Sequence, residues 1–277
     1  MKLGWKKDFP DIRDYTDLSS PIKSVLDLSP KLLAISSKMP ASIDLRKYCS
    51  PIEDQGNLGS CTANAGVGLL EYYQRRSKKK FINCSRLFLY KTTRNLLGWK
   101  DDDGAYLRST MQAMILFGVP PENVWPYRVS KFNDEPTAFV YAYAQNFQAL
   151  KYYRLDPVGT SPDIILSNVK KKLAARLPSM FGFVVYSSLY KSTNGDIPFP
   201  EITDSCEGGH AVVAIGYDDS KVINNCKGAL LIRNSWGTSW GDKGYGWLPY
   251  DYVLSGLASD FWSLSSAEFV DTELFAE

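Results

Sequence analysis

Helical and extended patterns occupy different halves of this chain, and that division limits the folds open to it. From Thr62 to Arg76 the small or apolar residues Ala65, Gly68, Leu69, Tyr72 and Tyr73 recur at helical spacing, so a helix is expected to begin at Cys61 and end in the basic run Arg75 to Lys80. Two further helices are expected over Ser85 to Arg94 and Tyr106 to Phe117, the second stopped by Gly118 and Pro120-Pro121. Beyond Pro126, the aromatic stretch holding Tyr141, Tyr143, Phe147 and Tyr152 leads to a helix over Asp163 to Leu177. Strands then take over: Phe181 to Tyr186, Ala211 to Tyr217, Ala229 to Arg233 and Tyr245 to Leu248 are short apolar or aromatic runs bounded by Gly, Asn and Asp. Helices first and strands second give an α+β plan in two lobes.

The chain has 277 residues, 44% apolar and 22% charged, enough for a sizeable core and too ordered a composition for a mostly disordered protein. A net charge of +2 excludes phosphate-driven nucleic-acid binding and a polybasic membrane anchor. No apolar run is long enough to span a bilayer, so no membrane insertion is expected. Met1 to Pro10 lacks the apolar core of a secretory signal. Secretion or export is the expected fate, with a cytoplasmic protein as the alternative. The five cysteines, Cys49, Cys61, Cys84, Cys206 and Cys226, are odd in number and lack zinc-site spacing, and the pairing of the four other than Cys61 stays open. Lys78-Lys79-Lys80 and Asp101-Asp102-Asp103 read as solvated loops.

Residues 1–38 read as an appended segment, polar and turn-rich, with an acidic ladder at Asp8, Asp11, Asp14 and Asp17. Ser20-Pro21 has the form of a helix start, with Ile22, Val25, Leu26, Leu32 and Leu33 available for short amphipathic turns. A dozen extended residues reach roughly 40 Å, enough to cross a cleft between lobes. Trp5, Phe9, Ile12 and Tyr15 are the expected anchors of such a crossing.

The chemistry concentrates at three places. Cys61 stands where the glycine-rich turn Gln55-Gly56-Asn57-Leu58-Gly59-Ser60 enters a helix, and a helix N-terminus with an imidazole nearby lowers a thiol's pKa. The same helix N–H groups, with the Gln55 side-chain amide, can stabilise an oxyanion. His210, the one histidine of the chain, lies after Gly208-Gly209 at the mouth of an apolar strand. Asn234, in Arg233-Asn234-Ser235-Trp236-Gly237, follows another strand and supplies an amide oxygen to hold the imidazole tautomer, with Trp236 and Trp240 to cover that bond. Taken singly, each has a plain structural reading: a buried thiol, a packed histidine, a turn asparagine, core tryptophans.

Together, Gln55-Gly56-x-x-Gly59-Ser60-Cys61, Gly209-His210-Ala211-Val212, and Asn234-Ser235-Trp236-Gly237-x-x-Trp240-Gly241-x-x-Gly244-Tyr245 resemble, in order and spacing, the papain-like cysteine peptidases. Gly104-Ala105-Tyr106-Leu107, Phe117-Gly118-Val119 and Trp125-Pro126-Tyr127 extend the resemblance over about residues 40 to 255. It implies a papain-like two-lobe fold, with a helical left lobe (about 39–130) and an antiparallel, β-barrel-like right lobe (about 131–277). It also implies an endopeptidase working through a Cys61 thioester, with His210 as base and acid, Asn234 orienting it, and Gln55 in the oxyanion hole. Gly104, Ala105, Tyr106, Leu107, Gly209 and Trp236 are the substrate-binding residues it points to, with an apolar main pocket at Tyr106 and Leu107. No metal or organic cofactor is implied, the partner is a protein or peptide substrate, and the chain is expected to be a monomer. Leu58 replaces a bridging cysteine of the family, Thr62 a tryptophan and Gly209 an aspartate, and these departures with Cys49-Ser50-Pro51 look most like the bacterial branch. Residues 1–38 are then expected to act as an inhibitory pro-like segment. Two alternatives are a thioester-forming acyltransferase or transglutaminase-like enzyme, and an inactive peptide-binding homologue.

Overall fold

The computed structural model describes residues 2–27, 39–79, 81–192, 194–267 and 270–271. At its centre runs a long helix, Cys61–Lys78. Its chain order is β1 (Trp5–Lys6), α1 (Ser20–Asp27), β2 (Ser42–Asp44), α2 (Cys61–Lys78), α3 (Arg86–Leu97), β3 (Ala105–Tyr106), α4 (Leu107–Leu116), α5 (Ala138–Ala144), β4 (Ala149–Arg154), α6 (Pro162–Ala174), β5 (Ser179–Tyr186), β6 (Cys206–Ile223), β7 (Cys226–Arg233), β8 (Tyr245–Pro249), α7 (Asp251–Leu254), β9 (Ala258–Ala267) and β10 (Val270–Asp271). Helix α2 is buried on every side over most of its length because small residues let its neighbours close in. A Cβ on Gly66 would touch Thr110, Leu89 and Met114 of the helical half, and one on Gly68 would meet Arg233 Nε of the sheet half at 2.9 Å. The central helix therefore joins the two halves through one shared core.

Helix α3 starts where Ser85 Oγ accepts from Phe88 N at 3.1 Å and stops at Gly98, which takes the left-handed φ of +69°. On the other side, β10-β9-β5-β6-β7-β8 form an antiparallel sheet, with β2 added to β6 and β4 to β9. Among the described residues this sheet stays open, where a barrel-like lobe was expected. The expected helices and strands all appear, with ends moved by a few residues. Strands β1 to β4, β9 and β10 and helices α5 and α7 are additional. Strand β9 is hard to read in sequence because Asp260, Ser263 and Ser265 are polar yet fully buried, and Asp260 has φ +66°.

The N-terminal segment lies across the junction of the halves. Strand β1 pairs in parallel with β3, Trp5 opposite Ala105 and Lys6 opposite Tyr106. Trp5 is buried, but Phe9, Ile12 and Tyr15 are exposed, so they do not anchor the crossing. Charge does that instead. Arg108 pairs with Asp8 and, at 2.7 Å, with Asp14, while Arg154 reaches Asp14 at 3.5 Å and the Asp8 carbonyl at 3.1 Å. A buried charge set of this kind depends on every partner being present, since removing one strands the others out of water. Helix α1 follows, burying Ile22 and Leu26. Leu32 and Leu33 lie outside the described residues. Among the described residues no helix is long and apolar enough to cross a membrane.

Candidate active site

The turn before α2 is fastened from two directions. Gln55 N donates to Ser235 O at 2.9 Å, tying it to the sheet half, and Gly59 N donates to Asp102 Oδ1 at 3.0 Å, tying it to the loop before β3. Asp102 also accepts from Tyr90 Oη at 2.5 Å and pairs with Lys2 Nζ at 2.8 Å. It is therefore a mostly buried brace, not the solvated loop residue the acidic run suggested. Gly56 supplies the left-handed φ of +59° that the turn needs. With the turn so held, Cys61 is the first residue of α2, its side chain fully buried at the positive end of the helix.

His210 sits on β6 opposite Phe183 of β5. Its Nε2 lies 2.7 Å from Asn234 Oδ1, and the same oxygen accepts from Ser235 N at 2.8 Å. An atom that accepts from a main-chain N–H is the oxygen of the amide, so His210 Nε2 carries the proton and Nδ1 is the basic nitrogen of the neutral ring. Nδ1 is buried with no hydrogen-bond partner among the described residues. Trp236 stacks on the imidazole at 4.3 Å between ring centroids, and Trp240 packs edge-on against Trp236 at 5.5 Å. Trp236 thus covers one face of the imidazole, and Trp240 backs Trp236.

Gln55 is oriented at both ends of its amide. Ser235 Oγ donates to Oε1 at 2.7 Å, which leaves Nε2 to donate to Leu58 O and to Lys2 O, each at 2.9 Å. The Cys61 thiol faces the main-chain N–H groups of Ala211, next to His210, and of Gly4. Cys61, Gln55 and the strand bearing His210 thus meet around residues 2–5. Gly4 N donates to Gly209 O at 3.1 Å and Ala105 N donates to Gly4 O at 2.8 Å, so both banks of the cleft grip one extended chain.

Burial sets the electrostatics of the site. Burial pushes the Cys61 thiol up to about 11, against the pull of the nearby N–H groups. Burial likewise pushes His210 down to about 4, opposed by its bond to Asn234. A lowered thiol pKa was expected from the helix terminus and imidazole. With the segment in place both groups are uncharged near neutrality, because water is excluded from each.

Of the residues expected along the substrate, Gly104, Ala105 and Gly209 contact residues 4 and 5: a Cβ on Gly104 would overlap the Gly4 carbonyl, and one on Gly209 would lie 2.6 Å from Trp5 Cε3. Tyr106 packs its ring on Trp99 at 5.5 Å, Leu107 is buried in the helical core, and Trp236 covers His210. Tyr90 and Asp102 carry no local signal as braces, because their partners are more than ten residues away. The five cysteines are free thiols, with Cys49 and Cys84 buried apart from any partner sulfur.

A cleft that grips main chain from both banks, beside a thiol at a helix N-terminus, an amide donor and a strand bearing an imidazole, fits a thiol-dependent hydrolase class. The sequence profile of the papain family cysteine proteases matches residues 39–262. An uncharacterized peptidase C1-like protein of Acanthamoeba polyphaga mimivirus is 32% identical over 94% of this chain and 85% of its own length. Cathepsin K of Gallus gallus is 30% identical over 76% of this chain, which spans 59% of that relative. Among solved structures, xylellain, a cysteine protease from Xylella fastidiosa, superposes with a TM-score of 0.76 at 34% identity, covering 95% of both chains. The digestive procathepsin L 3 of Tenebrio molitor shares the fold, with a TM-score of 0.63 at 20% identity over 82% of this chain and 70% of its own. The chain belongs to the papain family of cysteine proteases, and its α+β fold is the papain fold.

Proposed function

We propose that the protein hydrolyses peptide bonds within polypeptides through a thioester at Cys61, and that residues 2–27 hold the full chain in a closed, inactive form. In the open form, Cys61 gives its proton to His210 Nδ1 and Sγ attacks the substrate carbonyl carbon. The charge on the carbonyl oxygen is met by Gln55 Nε2–H and the Cys61 N–H. Collapse of the tetrahedral intermediate expels the amine, which takes the proton from His210. Water, deprotonated by His210, then attacks the thioester, releasing the acid and restoring the thiol. Asn234 keeps the proton on Nε2, so Nδ1 is the nitrogen that accepts and returns it.

The observation that carries this reading is the hydrogen bond from Gln55 Nε2 to the Lys2 carbonyl, beside Cys61, in a chain gripped at Ala105 and Gly209. A main-chain carbonyl bound at this donor supports the role of Gln55 in meeting a substrate carbonyl there. The same contact supports closure, since an incoming peptide needs every group the segment occupies. Closure acts twice, by filling the cleft and by keeping Cys61 and His210 uncharged. The test compares chains beginning at Met1 and Met39 on one fluorogenic peptide, with folding verified and active sites titrated. The shorter chain is expected to be much faster, with turnover lost in Cys61→Ala. Equal rates would refute closure, and turnover in folded Cys61→Ala would refute the thioester.

A further inference from the structure

The segment between α4 and α5 sends one side chain to the turn that carries Gln55 and Cys61. Tyr127 Oη donates to Gln55 O at 3.0 Å and lies 2.6 Å from Ser60 Oγ, so a single atom touches the main chain of Gln55 and the residue immediately before Cys61. A phenol has one proton, and Gln55 O takes it, so Ser60 Oγ donates to Tyr127 Oη. Ser60 Oγ in turn accepts from Asn64 Nδ2 at 3.0 Å, and Asn64 Oδ1 accepts from Arg86 Nη1 at 3.4 Å. The chain of donors therefore has one direction, from the Arg86 guanidinium through Asn64, Ser60 and Tyr127 to the Gln55 carbonyl. Arg86 also lies over the Tyr127 ring, 4.1 Å from its centroid, and pairs with Glu53 at 3.2 Å and Glu122 at 3.4 Å. Glu122 Oε1 accepts from Tyr127 N at 2.6 Å, which fixes the main chain that carries the ring. Gln55, Ser60, Asn64 and Arg86 are buried, so the links are made away from water, where losing one strands its neighbours.

We propose that Tyr127 is a positioning residue for the hydrolysis: its hydroxyl sets the spacing between the two oxyanion donors, Gln55 Nε2–H and the Cys61 N–H. This role rests on the peptidase reading above. The ties from Gln55 N to Ser235 O and from Gly59 N to Asp102 run to different elements, and neither fixes how far Gln55 stands from Cys61. Tyr127 does, because the two ends of the turn share its oxygen and cannot separate while both bonds hold. The Arg86 guanidinium keeps the phenol in place from above and orients Asn64, which directs the Ser60 proton toward Tyr127. Donors aimed at a developing negative charge act fully only at hydrogen-bond distance from where that charge appears, and the uncharged substrate carbonyl depends on them less. Loosening the turn therefore lowers kcat and spares KM.

The test uses full-length chains opened by Gly4→Ala or, separately, by Trp5→Ala, with opening verified by iodoacetamide labelling of Cys61 and active sites titrated. Tyr127→Phe keeps the ring under Arg86 and removes only the hydroxyl. Its kcat should fall about 10-fold, the scale of one neutral hydrogen bond, with KM unchanged within about twofold. In a Gln55→Ala background the same substitution should cost less than about twofold, since no spacing between donors is left to set. A peptide aldehyde gives a readout without turnover: Cys61 Sγ adds to its carbonyl carbon, the thiol proton passes to His210 Nδ1, no group leaves, and the resulting oxyanion faces the two donors. The aldehyde should protect Cys61 from labelling about 10-fold less well in Tyr127→Phe, while the matching peptide alcohol should protect equally in both. Should Tyr127→Phe not fold, Ser60→Ala breaks the same link from its other side and should show the same loss of kcat and the same dependence on Gln55. The proposal is overturned if the folded variant keeps its kcat, if KM alone changes, or if the losses from Tyr127→Phe and Gln55→Ala simply multiply. Absence of both turnover and aldehyde protection in an opened chain that labels at Cys61 would refute the peptidase reading, and this role with it.

Discussion

Replacing Gly4 by alanine probes the proposed closed form with one methyl group. The Cβ so introduced would overlap the Gly59 carbonyl oxygen and come within 2.8 Å of Gly59 Cα. Gly59 cannot yield, because Asp102 holds its N–H and it lies two residues before the start of α2. The segment must move instead, and three hydrogen bonds go with it: Gly4 N to Gly209 O, Ala105 N to Gly4 O, and Gln55 Nε2 to Lys2 O. At about 1 kcal/mol each, their loss shifts the balance toward the open form by about 3 kcal/mol, or roughly 100-fold. The assay is iodoacetamide labelling of Cys61 in the full chain at mildly acidic pH, mapped by peptide mass. Labelling should be slow in the parent, where burial holds the thiol at about 11, and roughly 100-fold faster in Gly4→Ala. Ile12→Ala, altering an exposed residue of the same segment, should leave the rate unchanged. Equal labelling of the parent and Gly4→Ala would refute the argument that main-chain contact at Gly59 keeps the site closed.

Four further outcomes are expected. In the open enzyme, His210→Ala should abolish turnover, and Gln55→Ala should reduce kcat roughly 10²-fold, the usual effect of removing one oxyanion donor; full activity in the folded Gln55 variant would remove it from that role. Ser235→Ala frees the Gln55 amide to rotate, so kcat should fall with KM nearly unchanged in steady-state kinetics, and a change in KM alone would count against a positioning role. Glu71 tests the pH dependence of stability. Burial raises it from 4.5 to about 7, so the folded chain holds a proton there that the unfolded chain releases. Its contribution to stability is therefore greatest below pH 4.5, declines as pH rises toward 7, and changes little above that, a span of up to about 3 kcal/mol. Denaturant titrations of the parent and Glu71→Gln across this window should differ by that slope, and parallel curves would show that Glu71 is not buried as an acid.

What local sequence determined is what local physics controls. The i, i+3 and i, i+4 spacing of Ala65, Leu69, Tyr72 and Tyr73 specifies a helix, and the glycines before Cys61 specify the turn that brings the chain to its first residue. Gln55, Cys61, His210 and Asn234 were legible because each sits beside a signal of its own, a glycine pair or the end of an apolar strand. Strand β9 was not, since Ser263 and Ser265 look solvent-facing until other elements cover them. Long-range pairing was equally hidden. That Asp102 braces Gly59, that Ser235 turns the Gln55 amide, and that Arg108 and Arg154 clamp Asp8 and Asp14 depends on segments about 40 to 180 residues apart. The thiol gives the clearest contrast. A helix terminus and an imidazole argue for a lowered pKa, yet the tertiary structure buries Cys61 with Gly4 of the N-terminal segment beside it, and the loss of water outweighs the pull of the nearby main-chain N–H groups. Sequence specifies which groups are available at the site. Only the folded chain decides which of them are desolvated, because desolvation depends on what the rest of the polypeptide covers.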